Sequence, residues 1–268
     1  MIDHIASAVR RADQVFSEQV GDKSTLDCGV AFFDVEYPHS AQNNVLREVW
    51  VEQSEAMPAA WAQVEQFYSD CGTECCGWVP SLGQSVAVIE PFLIDHGLRK
   101  QTLAAMGLSA WPTLPVDPSV RVLPARAMRK AFRSLHQDDR EADLAERRLD
   151  HAQFDVFVAM VDAQPAGRCG LLQVGEIADV RDLYVSPAFR RRQVATTLLS
   201  HVLEMARRLM MKSVCGKIDV ENTDGIALLS VMVIMVSFRP TAVIFRADVP
   251  LRRDSGLPQI DPSQSIVD

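Results

Sequence analysis

The stretch D-L-Y-V-S-P-A-F-R-R-R-Q-V-A-T-T-L-L, Asp182 to Leu199, decides how this chain is read. It leaves an apolar strand at Val185, passes through Ser186 and Pro187 into three consecutive arginines, and enters an amphipathic helix. Strand side chains alternate, so Leu183 and Val185 share one face and Asp182 and Tyr184 the other. The helix continues to Met210, with Leu198, Leu199, Val202, Leu203 and Ala206 at helical spacing. At a helix start, unpaired backbone N–H groups meet the positive end of the helix dipole, which makes a cradle for phosphate groups. Arg190, Arg191 and Arg192 would add charge-assisted bonds to that cradle. Taken alone, three arginines before an apolar helix read equally well as a solvated basic turn.

Working outward, three strands precede the stretch: Phe154–Val161, Cys169–Val174 and Ile177–Val185, the first two joined by the turn-like run Asp162–Gly167. Another strand follows over Ser213–Val220. A short strand at Arg121–Leu123 and helices at Ala125–Leu135 and Asp139–Leu149 come earlier. The resulting order is αα, βββ, α, β, α, β. Residues 110–120 hold three prolines, which deny the segment helix and central strand alike, so they read as a linker between residues 1–112 and 119–250. Before it stand an amphipathic helix over 1–20, strands at Val30–Tyr37, Asn44–Val51 and Gly77–Pro80, and a helix at Ala56–Ser69. A second helix, Ser85–His96, is stopped by Gly97, and Thr102–Met106 reads as one more strand. Residues 251–268 lack periodicity and read as a flexible tail.

The strand ending V-S-P, Arg190 and Ala195 at the right offset, the long helix, the next strand and then Asn222 together resemble motif A of the GNAT acetyltransferases, from Val120 to Asp248. The resemblance implies an α/β (α+β) fold with a mixed, mostly antiparallel twisted sheet flanked by helices. It implies acetyl-coenzyme A as acyl donor and an amine of a small molecule or peptide as acceptor, with direct attack and neither metal nor covalent enzyme intermediate. The donor's pantetheine arm would pair with the splayed strand at Leu183, Tyr184 and Val185. Its pyrophosphate would lie on Arg190, Arg191, Arg192, Gln193, Val194, Ala195 and Thr196. Asn222 would contact the arm, or simply cap the last helix. Asp182, Glu176 and Asp179 are candidates for the base, Asp182 ranked first, and Tyr184 is a candidate proton donor. Two positions depart from the family pattern: Gln193 stands where a glycine is usual, and Leu229 where a tyrosine protonates the leaving thiolate. They keep open a second reading, a catalytically impaired coenzyme A sensor or scaffold. Phe92–Leu98, F-L-I-D-H-G-L, also resembles the family's closing motif, although no phosphate loop precedes it. Residues 1–112 therefore read as a smaller α/β domain, a degenerate repeat or an unrelated cap.

Charge is uneven: residues 1–118 carry 6 Lys or Arg against 16 Asp or Glu, a balance of −10, and the remainder carries +2 of the total −8. This disfavours nucleic acid and favours cationic small molecules or basic peptides. The most apolar run, Ile226–Phe238, is shorter than a membrane span, and the first twenty residues lack a signal-peptide core. A cytoplasmic location without membrane contact is expected. Among the six cysteines, Cys71, Cys75 and Cys76 cluster, but only His96 lies nearby to complete a zinc set, so no metal is expected. Leu228–Val236 offers an apolar stretch for a homodimer.

Overall fold

The computed structural model describes residues 2–108, 110–230 and 234–247. The tail expected at 251–268, and the last residues of the segment expected to end at 250, lie outside the described residues. The chain opens with helix α1 (Ile2–Glu18), then runs through strands β1 (Asp22–Leu26), β2 (Gly29–Phe33) and β3 (Val45–Val49). Helix α2 (Met57–Asp70), β4 (Gly77–Pro80), α3 (Val86–Asp95) and β5 (Leu98–Leu108) follow. Sequence reading missed β1 and shortened β5, because both carry polar residues where alternation would ask for apolar ones.

Residues 110–120 form no helix or strand, as three prolines require, and Asp117 N–H donates to Thr197 Oγ1 at 3.1 Å. Beyond them come β6 (Arg121–Pro124), α4 (Arg129–Arg133), α5 (Asp139–Leu149), β7 (Phe154–Val161), β8 (Gln164–Val174) and β9 (Ile177–Val185). Then α6 (Val194–Arg208), β10 (Ser213–Asp219), α7 (Thr223–Ser230) and β11 (Ile234–Ala247) complete the order αα, βββ, α, β, α, β. Helix α5 starts where Asp138 accepts from Glu141 N–H at 2.7 Å while Glu141 accepts from Gln137 N–H at 2.9 Å, so two otherwise orphaned donors are satisfied.

Among the described residues, eleven strands join one sheet in the order β1-β2-β3-β4-β11-β5-β10-β9-β8-β7-β6. Only β3–β4 and β9–β10 pair in parallel, each bridged by a helix, α2 or α6. The mixed, mostly antiparallel sheet flanked by helices is the fold class the sequence implied. The order repeats about the β11–β5 pair: β4 and β10, β3 and β9, β2 and β8 take matching places. The last strand of each half crosses over, so β11 pairs with β4 and β5 with β10. The end of the stretch read as a homodimer contact, Ile234–Val236, is backbone-paired to β5 in the middle of the sheet. Helix α6 buries Leu198, Leu199, Val202 and Leu203 on one face, each contributing about 1.5–3 kcal/mol by burial.

Helix α1 lies on the opposite face, over β5, β8, β9 and β10. Its buried Asp13 accepts from Lys217 Nζ at 2.5 and 2.6 Å, from Arg181 Nη2 at 2.5 Å and from Arg47 Nη1 at 3.5 Å. Arg181 also pairs with Asp179 on its own strand. One helical carboxylate thus ties β3 of the first half to β9 and β10 of the second. Burial alone would raise the Asp13 pKa, but Lys217, Arg181 and Arg47 outweigh it and hold the carboxyl far below the usual range.

Removing one partner from such a buried cluster leaves charges uncompensated. Asp13→Asn is therefore expected to lower unfolding stability at pH 7 by about 3–5 kcal/mol in urea titration. Because the folded-state pKa is depressed, this stability is present above the unfolded value and declines as pH falls below about 4. The gap between wild type and variant should narrow at pH 3.

Candidate active site

The pairing of β9 with β10 runs from Ile177 opposite Ser213 to Val180 opposite Gly216 and stops there. Strand β10 continues along β5 to Asp219, while β9 continues along β8 to Val185, so the two diverge into a wedge. A bulge marks the divergence: Arg168 faces Tyr184 and Gly170 faces Arg181, leaving Cys169 opposite both Asp182 and Leu183. Asp182 adopts φ 52 there, which bends the strand away from its parallel neighbour. Ser186 N–H donates to Ala166 across β8 at 2.9 Å, so by alternation the N–H groups of Val185 and Leu183 point toward the wedge. The Leu183 and Val185 side chains pack on the α6 core.

At the end of β9 the chain makes a short turn over Pro187–Phe189 and enters α6. Arg191 has φ 61 and Gln193 φ 56, both left-handed, on either side of Arg192. Gln193 thus adopts the backbone shape that a glycine would take, at a cost of about 1–2 kcal/mol for its Cβ. No side chain caps α6; Thr197 N–H is the first to bond within the helix, to Gln193 O at 2.9 Å. The N–H groups of Val194, Ala195 and Thr196 precede that first bond at the open end of the helix. The arginines are exposed: Arg190 Nε donates to Val185 O at 3.3 Å, Arg191 pairs with Asp224 at 3.1 Å, and Arg192 lies over the Phe189 ring. Asn222 accepts from Gly225 N–H at 2.9 Å, capping α7, and also lines the wedge.

A cavity of about 460 Å³ passes through the wedge, with Leu199 and Leu203 of α6 at one side of the sheet and Phe16, Phe132 and Arg148 at the other. Asp182 lines it and holds buried Arg168 in a two-point bond, Oδ2 to Nε at 2.6 Å and Oδ1 to Nη2 at 3.0 Å. Arg168 also donates to the Leu135 carbonyl. Tyr184 packs its ring under Arg168, 4.8 Å from the guanidinium, and is not a cavity wall. Glu176 is not brought to the site: it sits in the β8–β9 turn, at the other end of β9, paired with Lys212 at 2.6 Å. Asp179 is buried beside Arg181 beneath α1, and burial raises its pKa. The Leu229 side chain lies outside the described residues.

Sequence reading missed His136, which no motif surrounds. It lines the cavity with Nδ1 on the Phe132 carbonyl at 3.0 Å, which fixes the proton on Nδ1 and leaves Nε2 a lone pair with no partner. Burial and the neighbouring Arg168 push its pKa below the ordinary 6.5. Sequence reading also missed the pairing of R-E-V-W-V, Arg47–Val51, with R-D-L-Y-V, Arg181–Val185. In the first copy Trp50 N–H bonds to Cys28 O at 3.0 Å and Glu48 has φ 52, the same bulge at the same place. There, however, the Gln84 amide bridges Val51 N–H at 2.8 Å and Val51 O at 3.1 Å, and β3 and β4 stay closed. The likeness of the two five-residue runs stands in the sequence; the plug at Gln84 does not.

A splayed parallel pair thus lies beside an uncapped, basic helix start. Residues 123–230 match the model of the acetyltransferase (GNAT) family, so the chain carries a GNAT acetyltransferase domain there. No curated protein matches the chain. The fold is similar to that of a functionally unknown conserved protein from Staphylococcus epidermidis ATCC 12228, with TM-score 0.66, 12% identity, and 84% of this chain and 92% of that one covered. It is similar to a GCN5-related N-acetyltransferase from Kribbella flavida, with TM-score 0.61, 10% identity, and 91% and 94% covered. A GCN5-related N-acetyltransferase from Sphaerobacter thermophilus gives TM-score 0.51, 17% identity, and 72% and 68% covered. At these identities the likeness is one of fold. Among the described residues, no helix is long and apolar enough to cross a membrane, and no group of His, Cys, Asp or Glu is arranged to hold a metal ion.

Gln193→Gly relieves the left-handed strain at the start of α6. It is expected to raise stability by about 1 kcal/mol in urea titration, with α6 and its contacts retained.

Proposed function

We propose that this protein transfers the acetyl group of acetyl-coenzyme A to an amine held in the through-sheet cavity. The observation that carries the reading is the wedge beyond Val180 and Gly216, which leaves strand-edge donors unpaired beside an uncapped helix start. An extended pantetheine arm would complete the edge of β9 as an added strand. The helix start and Arg190–Arg192 would take the pyrophosphate. Leu183 and Val185 N–H groups would polarise the thioester carbonyl and stabilise the oxyanion formed on attack. Residues 1–112 would form the far wall of the acceptor site, and residues 119–250 the donor half.

The amine nitrogen attacks the thioester carbon; the C–N bond forms, the C–S bond breaks and the electron pair leaves on sulfur. The proton released from nitrogen passes to Asp182 through water, and the thiolate takes a proton from solvent. A thiol of ordinary pKa about 8.5 is a tolerable leaving group, so Leu229 does not bar turnover. His136 offers a second proton acceptor in the same cavity, favoured by its unpartnered Nε2.

Thiol release with purified protein across a panel of primary amines tests the activity. Arg190→Ala with Arg191→Ala should weaken acetyl-coenzyme A binding in calorimetry by about 1.5–3 kcal/mol per lost charged bond. Asp182→Asn should lower kcat by about 100-fold or more with donor binding retained, and His136→Gln should not. The reverse pattern would assign the proton to His136. Tight donor binding with no thiol release on any amine would favour a coenzyme A sensor.

A further inference from the structure

We propose that Arg148 binds a carboxylate on the acceptor, so that the amine acetylated belongs to an amino-carboxylic acid. The word acceptor rests on the transferase reading above; the anion rests on the following observations.

Arg147 and Arg148 end α5 and are treated oppositely. Half-exposed Arg147 reaches two carboxylates, Asp34 at 3.0 Å and Glu36 at 3.3 Å. Arg148 turns inward, is 3% exposed and lines the cavity. Its guanidinium donates only to neutral amide oxygens, Gln42 Oε1 at 3.1 Å and Asn43 Oδ1 at 2.5 Å. Its Nε finds no acceptor, and among the described residues no carboxylate pairs with it. Asn43 is held in that orientation because its Nδ2 donates to Asp34 Oδ2 at 2.7 Å.

A buried cation without a counter-ion is costly, and the neighbours do not remove that cost. Asp13 and Asp179 are shared among Lys217, Arg181 and Arg47, and Asp182 is committed to Arg168. Arg181 adds repulsion: both guanidiniums lie over the Phe16 ring, Arg148 at 4.1 Å and Arg181 at 4.4 Å. Burial and Arg181 push Arg148 down to about 9, and Asp182 and Asp34, each bonded to other cations, offset this only in part. Phe16 supplies a cation–π contact, which is weaker than an ion pair in so dry a place. The cavity is thus electropositive on its inner wall, although the first half of the chain is acidic.

A guanidinium binds carboxylate or phosphate by its fork of N–H groups. Here two of the five N–H directions are already taken by amide oxygens, and among the described residues lining the cavity Arg47, Arg168, Arg181 and Lys217 are each paired with a carboxylate. That capacity fits one carboxylate monoanion and not a phosphate dianion. The cavity volume of about 460 Å³ suits a small molecule whose amine approaches the wedge while its carboxylate lies against Arg148.

The test needs no turnover. N-acetyl derivatives of the twenty amino acids, and their carboxamides, are titrated calorimetrically into wild-type protein and Arg148→Met in the presence of coenzyme A. At least one acid should bind the wild type about 10- to 100-fold more tightly than its carboxamide, with the preference gone in Arg148→Met. Circular dichroism checks the variant's fold; should it fail, Arg148→Lys keeps the charge without the fork and is expected to lose most of the preference. Acids and carboxamides binding alike to the wild type, neither binding at all, or a preference that survives both substitutions overturns the proposal. An acid preference without thiol release from free amino acids still supports the carboxylate site, and counts against the transferase reading alone.

Discussion

Asp13 is the constraint on which the rest of the architecture hangs. Its carboxylate sits beneath α1 where Arg47, Arg181 and Lys217 converge, and it offsets the cost of bringing three cations together there. The arrangement joins two topologically matching halves at their matching arginines, Arg47 and Arg181, each one residue before a bulge with φ 52. Exchange of the final strands, β5 and β11, makes the join continuous through the backbone as well. The two halves are then parts of one sheet, and the cavity lies where they meet.

Within that symmetric frame the two bulges have different consequences. After Val180 the second half opens, because β10 follows β5 while β9 follows β8. After the first bulge the Gln84 amide reproduces the missing backbone partner for Val51, and the equivalent wedge never forms. The loop that follows is acidic at Glu52 and Glu55 in the first half and basic at Arg190–Arg192 in the second. On the proposed reading, a polyanionic donor would have one place to go. The other half would then shape the acceptor side, through Gln42, Asn43 and the helix that carries Phe16.

Electrostatics inside the cavity run against the net charge. The surface of the first half is acidic, but the inner wall gathers Arg47, Arg148, Arg168, Arg181 and Lys217. Most of these are neutralised by Asp13, Asp179 and Asp182, and Arg148 is the exception. In a low-dielectric space one uncommitted charge dominates recognition more than many screened surface charges. Net charge therefore says little about which small molecule enters.

The sequence by itself determined the element order after residue 120, the strand–loop–helix passage from Asp182 to Leu199 and the family resemblance built on it. Local patterns sufficed because alternation, helical spacing and proline act over a few residues. The same reasoning located the left-handed demand at Gln193 but could not tell whether glutamine would meet it; the packing of α6 holds it there. Tertiary structure alone decided that Asp182 enters the cavity, whereas the place of Glu176 at the far end of the same strand was already set by the length of extended chain between them. It alone brought His136, Arg148 and Asp13 together with residues 30 to 200 positions away, since the long-range pairing of β5 with β10 and β11 sets those distances. Side chains that are unremarkable along the chain become reactive or binding groups only where burial removes water and leaves them one partner short.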